Sequence, residues 1–165
     1  MILMLDPSTT CTGYAMMKLD GTLIEGGFFR PNRTKDSAIE RANAMCEDLV
    51  ELLNETEFSA IVVEVPTAEA HHKKDRHGKG LTTYGIGVGM IVRTILASGQ
   101  ADKLVAVDQS TWTGGDSKTE RADFVALAYA NYRQAQDQDT GLDLADAIGL
   151  GLWYIEDCKQ KAVSA

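Results

Sequence analysis

The chain has little that would staple, anchor or coat. Its three cysteines, Cys11, Cys46 and Cys158, are odd in number, far apart and outside any CxxC or Cys/His spacing. That excludes a disulfide framework and a zinc site, and predicts reduced thiols. Only three prolines, with 44% apolar and 24% charged residues, exclude a disordered chain. No apolar run approaches the ~20 residues that cross a bilayer. The N-terminus has neither the basic segment nor the small-residue cleavage site of a signal peptide, so a cytoplasmic protein with no membrane partner is expected. Basic charge is also scarce: 16 Lys and Arg against 24 Asp and Glu leave a net charge of −8. A general nucleic-acid coating protein would carry the opposite balance. At 165 residues the chain can bury one ordinary core, which predicts a single domain over residues 1–165.

What basic charge there is sits together. "HHKKDRHGKG", residues 71–80, holds four Lys or Arg against one Asp, a local charge of +3. It lies in a polar stretch after Pro66 that is longer than most connections in compact domains, the kind of segment that carries function or moves.

Residues 1–5, 11–19 and 22–30 read as three strands of an antiparallel meander, the last two joined by the Asp20-Gly21 hairpin signal. Ile39, Ala42, Met45, Cys46, Leu49, Leu52 and Leu53 recur at helical spacing and predict a helix over 36–54. "SAIVVEVP", residues 59–66, is a β-branched run closed by proline, as expected of a buried parallel strand. A helix over 81–98 and a strand over 103–108 follow. Ser117 and Glu120 form a capping box for a helix running to about Arg133, and a last helix spans 142–157. The order βββαβαβαα predicts an α/β fold: a five-stranded mixed sheet, antiparallel meander plus parallel strands, flanked by helices.

Asp6 and Glu64 each end an apolar strand, and the ends of adjacent parallel strands lie together at one sheet edge. In "GLDLADAIGLGLW", Asp143 and Asp146 stand three apart on an otherwise nearly apolar helix, so both project from one face of a buried segment. Taken singly, such residues are turn or cap residues, or complement a helix dipole. Four together would repel one another unless cations hold them. All-oxygen ligands favour Mg²⁺ or Mn²⁺, and two such ions roughly 3.5–4 Å apart are an arrangement for in-line phosphodiester chemistry.

"MLDPSTTCTGYA", "IVVEVP" and "DLADAIGLGLW", supported by "GLTTYGIGVGMIVRTIL" and "TGGDSKTERA", resemble the RuvC family of Holliday junction resolvases in the ribonuclease H-like superfamily. The resemblance covers most of the chain. It implies Asp6, Glu64, Asp143 and Asp146 as metal-binding acids, two Mg²⁺ per active site with Mn²⁺ as a substitute, and Lys118 beside the scissile phosphate. It further implies a structure-selective endodeoxyribonuclease that cuts Holliday junctions or other branched DNA to 5′-phosphate and 3′-hydroxyl ends. A homodimer packed partly through the helix bearing Gly85 and Gly89 would set one active site on each of two opposed strands. Alternatively, these glycines let that helix lie close to its own sheet. Lys73, Lys74, Arg76 and Lys79, with Lys118 and Arg121, are the expected DNA contacts. His71, His72 and His77 lack a fourth metal ligand spaced to join them. Trp112, Trp153 and Tyr154 read as core or interface residues. Family members often hold an aromatic after the Glu64 strand that enters the junction centre, yet residues 65–83 contain no Phe, Tyr or Trp. Small resolvases of this kind suit a bacterial cell or a phage-infected one.

Three other readings compete. YqgF-type nucleases share these acids but act on RNA; "LDPSTTCTGYA" also resembles the phosphate loop of actin-like kinases and ATPases, which need two such domains; and a protein could bind junctions without cutting them.

Overall fold

The computed structural model describes residues 1–31, 37–66 and 78–164, with 78–81 described by backbone alone. Alternation in the first strand sets the layers. In β1 (Ile2–Pro7), Leu3 and Leu5 face one way and Ile2 and Met4 the other, all at most 1% exposed. β2 (Thr12–Met17) and β3 (Leu23–Phe29) continue from β1 as the expected antiparallel meander. β4 (Ala60–Val65) pairs parallel to β1, and β5 (Leu104–Asp108) parallel to β4, giving the sheet order β3-β2-β1-β4-β5. The five-stranded mixed sheet is thus as read from the sequence.

The Leu3/Leu5 face, extended by Ile61 and Val63, is covered by α1 (Ala38–Glu55) and α2 (Gly78–Ala97) through Met45, Leu49, Ile91 and Ile95. The Ile2/Met4 face, extended by Val62, is covered by α4 (Lys118–Ala128) and α6 (Asp143–Val163) through Val125, Ile148 and Leu150. Between β5 and α4 lies a short helix, α3 (Gln109–Trp112), that local periodicity did not predict.

The helix expected from Ser117 to Arg133 is broken. Its capping box forms, but Tyr129 is extended (φ −127°, ψ 109°) and separates α4 from α5 (Ala130–Ala135). Tertiary contacts hold the break open. The Tyr129 hydroxyl donates to the Gly21 carbonyl in the β2–β3 turn at 2.7 Å, and the Arg133 guanidinium donates to the Ala126 carbonyl at 2.9 and 3.2 Å. The last helix runs on beyond Asp157 to Val163.

Candidate active site

The pleat of β1 that sends Ile2 and Met4 toward α6 sends Asp6 there too, and the pleat of β4 does the same for Glu64 after Ala60 and Val62. Leu5 pairs with Val63, so the next residues, Asp6 and Glu64, are neighbours across the parallel ladder. They are 3% and 2% exposed. The first turn of α6 brings the other two acids to this end of the sheet. Gly13, the ladder partner of Asp6, makes that approach possible: a Cβ there would collide with the Asp143 backbone.

A fifth acid, not singled out in the sequence, sets where α6 begins. Buried Asp139 accepts from the amides of Leu144 (3.2 Å) and Ala145 (3.0 Å) and from the Tyr132 hydroxyl (3.2 Å). It satisfies amides the helix cannot pair internally, while Leu142 turns the chain in left-handed geometry (φ 58°). The axial position of Asp143 and Asp146 therefore depends on Asp139.

Two cations hold three of the four acids. Lys118 Nζ stands 3.0 Å from Asp146 Oδ2, 3.3 Å from Asp143 Oδ1 and 3.6 Å from Asp6 Oδ2. Arg121 grips Asp146 with both ends of its fork, Nε to Oδ1 at 2.8 Å and Nη2 to Oδ2 at 3.0 Å, and also donates to the Asp116 carbonyl. Its guanidinium lies 4.9 Å above the Trp112 ring, and the Trp112 indole N–H donates to Glu64 Oε2 at 2.8 Å. Trp112 and Arg121 thus bridge an acid on β4 to an acid on α6. Trp112, which sequence reasoning assigned to core or interface, is buried and also acts on the site.

The charges are costly where they stand. Burial, then Glu64, pushes the Asp6 carboxyl well above the usual range, with Lys118 opposing. Asp6 Oδ2 has no hydrogen-bond partner. Burial also raises Glu64, against the Trp112 hydrogen bond, and raises Asp143, against Lys118. Burial alone would lower Lys118, but Asp6 and Asp146 outweigh it and raise the ammonium above its ordinary value. Tyr84 on α2, one residue beyond the aromatic-free stretch 65–83, feels the same centre: burial raises its phenol, with Glu64 and Asp6 adding to the rise.

A divalent cation fits this donor set by chemistry. The ligands are carboxylate oxygens only, and one of them is a buried orphan. Among the described residues no three acids yet close on one point at metal-ligand spacing. The Lys118 ammonium stands among Asp6, Asp143 and Asp146, so an ion and this lysine would compete for the same oxygens. Of the expected DNA contacts, Lys73, Lys74 and Arg76 lie outside the described residues, as do His71, His72 and His77. Lys79 is placed by backbone alone, in the first turn of α2. Lys118 is at the mouth of the site, its side chain 42% exposed, and Arg121 is turned inward at 10%.

No family model matches the sequence, and no curated relative matches it. Solved structures do. The RuvC of Thermus thermophilus in complex with a Holliday junction substrate superposes with a TM-score of 0.65 at 16% identity, over 92% of this chain and 90% of that one. A second T. thermophilus RuvC structure gives 0.65 at 16% identity, over 97% and 96%. The Fowlpox virus resolvase with its substrate Holliday junction DNA gives 0.57 at 16% identity, over 95% and 99%. The chain has the ribonuclease H-like fold of the RuvC resolvases.

Proposed function

We propose that this chain is a metal-dependent endonuclease for branched DNA, with the four-way junction as its foremost substrate. The observation that carries the reading is the gathering of Asp6, Glu64, Asp143 and Asp146, all at most 8% exposed, at one end of a sheet built like that of the junction resolvases. Buried acids at such density have little structural use and raise one another's cost.

Asp6, Glu64, Asp143 and Asp146 would hold two Mg²⁺ or Mn²⁺ ions. Bound there, the ions supply Lewis-acid activation of a water and charge relief for the leaving 3′ oxygen, leaving 5′-phosphate and 3′-hydroxyl ends. Asp6 offers its oxygens from a rigid strand rather than a loop. Trp112 fixes the Glu64 carboxylate by holding Oε2, and Arg121 fixes Asp146. Lys118, which shares Asp6 with the site an ion would take, would keep a positive charge beside the scissile phosphate as negative charge builds on it. Arg121 acts on DNA through Asp146, while Lys73, Lys74, Arg76 and Lys79 remain candidates for backbone contacts.

A homodimer through α2 belongs to the same reading. A Cβ added at Gly85 or Gly89 meets nothing within 4 Å, and both are exposed, so neither serves close packing on its own sheet. Gly87 is the glycine that faces inward, toward the Ser8 carbonyl. A face left open at two glycines a turn apart suits a second copy of the helix. Among the described residues no helix is long and apolar enough to cross a membrane.

The test is cleavage of a labelled four-way junction, a linear duplex and an RNA hairpin in Mg²⁺, Mn²⁺ or EDTA, by the native chain and Asp6→Asn. Paired metal-dependent nicks in opposed junction strands, lost in the variant, are expected. Cleavage of RNA beside an intact junction would move the assignment to an RNA nuclease, and no cleavage at all would remove it.

A further inference from the structure

Arg30 follows β3 at the same end of the sheet as the acids: Phe29 pairs with Thr12, and the adjacent Gly13 pairs with Asp6. The residue is exposed, yet its guanidinium is held in place. It lies 3.8 Å above the Phe28 ring, its Nε–H points at Cys11 Sγ at 3.4 Å, and its Nη2 donates to the Gln138 carbonyl at 2.6 Å. Cys11 connects it to the site, because the thiol interacts with both Arg30 and Asp143.

The partners of Arg30 are unusual. A guanidinium has five N–H donors; among the described residues two are used, on a cysteine sulfur and a backbone carbonyl, and three remain. Among the described residues no carboxylate pairs with it, in a chain that carries 24 acids. Lys118 and Arg121, by contrast, are engaged by the acids inside the site. Arg30 is therefore a rigid, outward-facing cation beside an acidic centre, with the fork that suits phosphate oxygens. Holding it in advance reduces the entropy lost on contact. The β1–β2 turn between Arg30 and the acids is braced from its other side by Arg41, whose Nε donates to the Thr9 carbonyl at 3.0 Å.

We infer that Arg30 binds a backbone phosphate of the nucleic acid flanking the one presented to the acids, so that it sets where the strand lies across the site. This rests on the reading of the chain as a nuclease. It concerns affinity and placement, not base sequence.

The experiment measures equilibrium binding of the full chain to a labelled four-way junction in EDTA over a salt series, for the native protein, Arg30→Ala and Arg30→Lys, with a thermal melt of each. One lost phosphate contact makes the slope of log K against log salt shallower by about 0.9 for each protomer on the DNA. The expected result is that shallower slope for Arg30→Ala, with its affinity deficit narrowing about three- to fourfold for each protomer on the DNA across a fourfold rise in salt. Arg30→Lys is expected to keep the native slope. A native slope for Arg30→Ala overturns the inference. So does a shallow slope in both variants with a fallen melting temperature, which would make Arg30 an anchor for the Gln138 loop. Failure of the native chain to bind any junction or duplex would overturn the nuclease reading itself.

Discussion

Removing the charge of Asp6 should make the metal-free protein more stable while abolishing its response to metal. Asp6 is 3% exposed, and its Oδ2 accepts no hydrogen bond. Its pairing with Lys118, at 3.6 Å, is the longest of that lysine's three contacts with acids, so Lys118 keeps Asp143 and Asp146 when Asp6 is neutralised. A buried unsatisfied polar group costs about 1–3 kcal/mol, more when charged. In a chain of this length each kcal/mol moves the melting temperature by about 2–4 °C. Asp6→Asn in EDTA at pH 7.5 should therefore melt roughly 2–12 °C above the native protein. The pH dependence has a definite sign. The folded-state pKa of Asp6 is raised, by burial and then by Glu64, so the folded protein binds the proton more tightly than the unfolded chain. Native stability should fall as pH rises from the ordinary carboxylate range through that raised value, and the gap between variant and native should open over the same interval. Metal reverses the order. At an Mg²⁺ concentration of about 100 times its dissociation constant the native protein gains about 2.7 kcal/mol, or roughly 5–11 °C, and the variant gains little. Differential scanning fluorimetry across pH 4–9, with EDTA or Mg²⁺, measures all of this. A variant less stable than native in EDTA at neutral pH, or one that keeps the full metal response, would refute the assignment of Asp6 as an uncompensated ligand.

Trp112→Phe keeps most of the buried ring but loses the N–H that holds Glu64; metal affinity from titration calorimetry, or the nicking rate, should fall about 10–100-fold while the far-ultraviolet spectrum is unchanged. Asp139→Ala removes the cap on α6 and should lower stability by about 0.5–2 kcal/mol in a urea titration, with a loss of activity that Asp139→Asn partly restores. Gly89→Leu should leave the melting temperature of a dilute sample nearly unchanged, because its Cβ meets nothing within 4 Å, but should shift sedimentation toward the monomer.

What was legible in the sequence follows the range of the interactions. The faces of β1 and β4 show in their alternation, and each of the four acids is conspicuous because it ends or interrupts an apolar run. Ser117 and Glu120 close their capping box three residues apart, and they do so whatever happens elsewhere. Tyr129 broke the predicted helix because its partner, Gly21, is 108 residues away.

The sequence by itself therefore determined the five strands, the long helices α1, α2 and α6 to within a few residues of their ends, the faces that β1 and β4 bury, and the four carboxylates expected at one sheet edge. Backbone preference and the alternation of apolar side chains are local, and a chain carries them before it folds. The tertiary structure alone decided how the carboxylates are held: Trp112 on Glu64, Arg121 and Lys118 on Asp146, Asp139 under α6. It also decided the outward pose of Arg30, tied to a carbonyl 108 residues on. Trp112 meets Glu64 across 48 residues, and Arg121 meets Asp146 across 25. Contacts at such separations come from the order of strands in the sheet and the packing of α3, α4 and α6 on it, and no local periodicity encodes them.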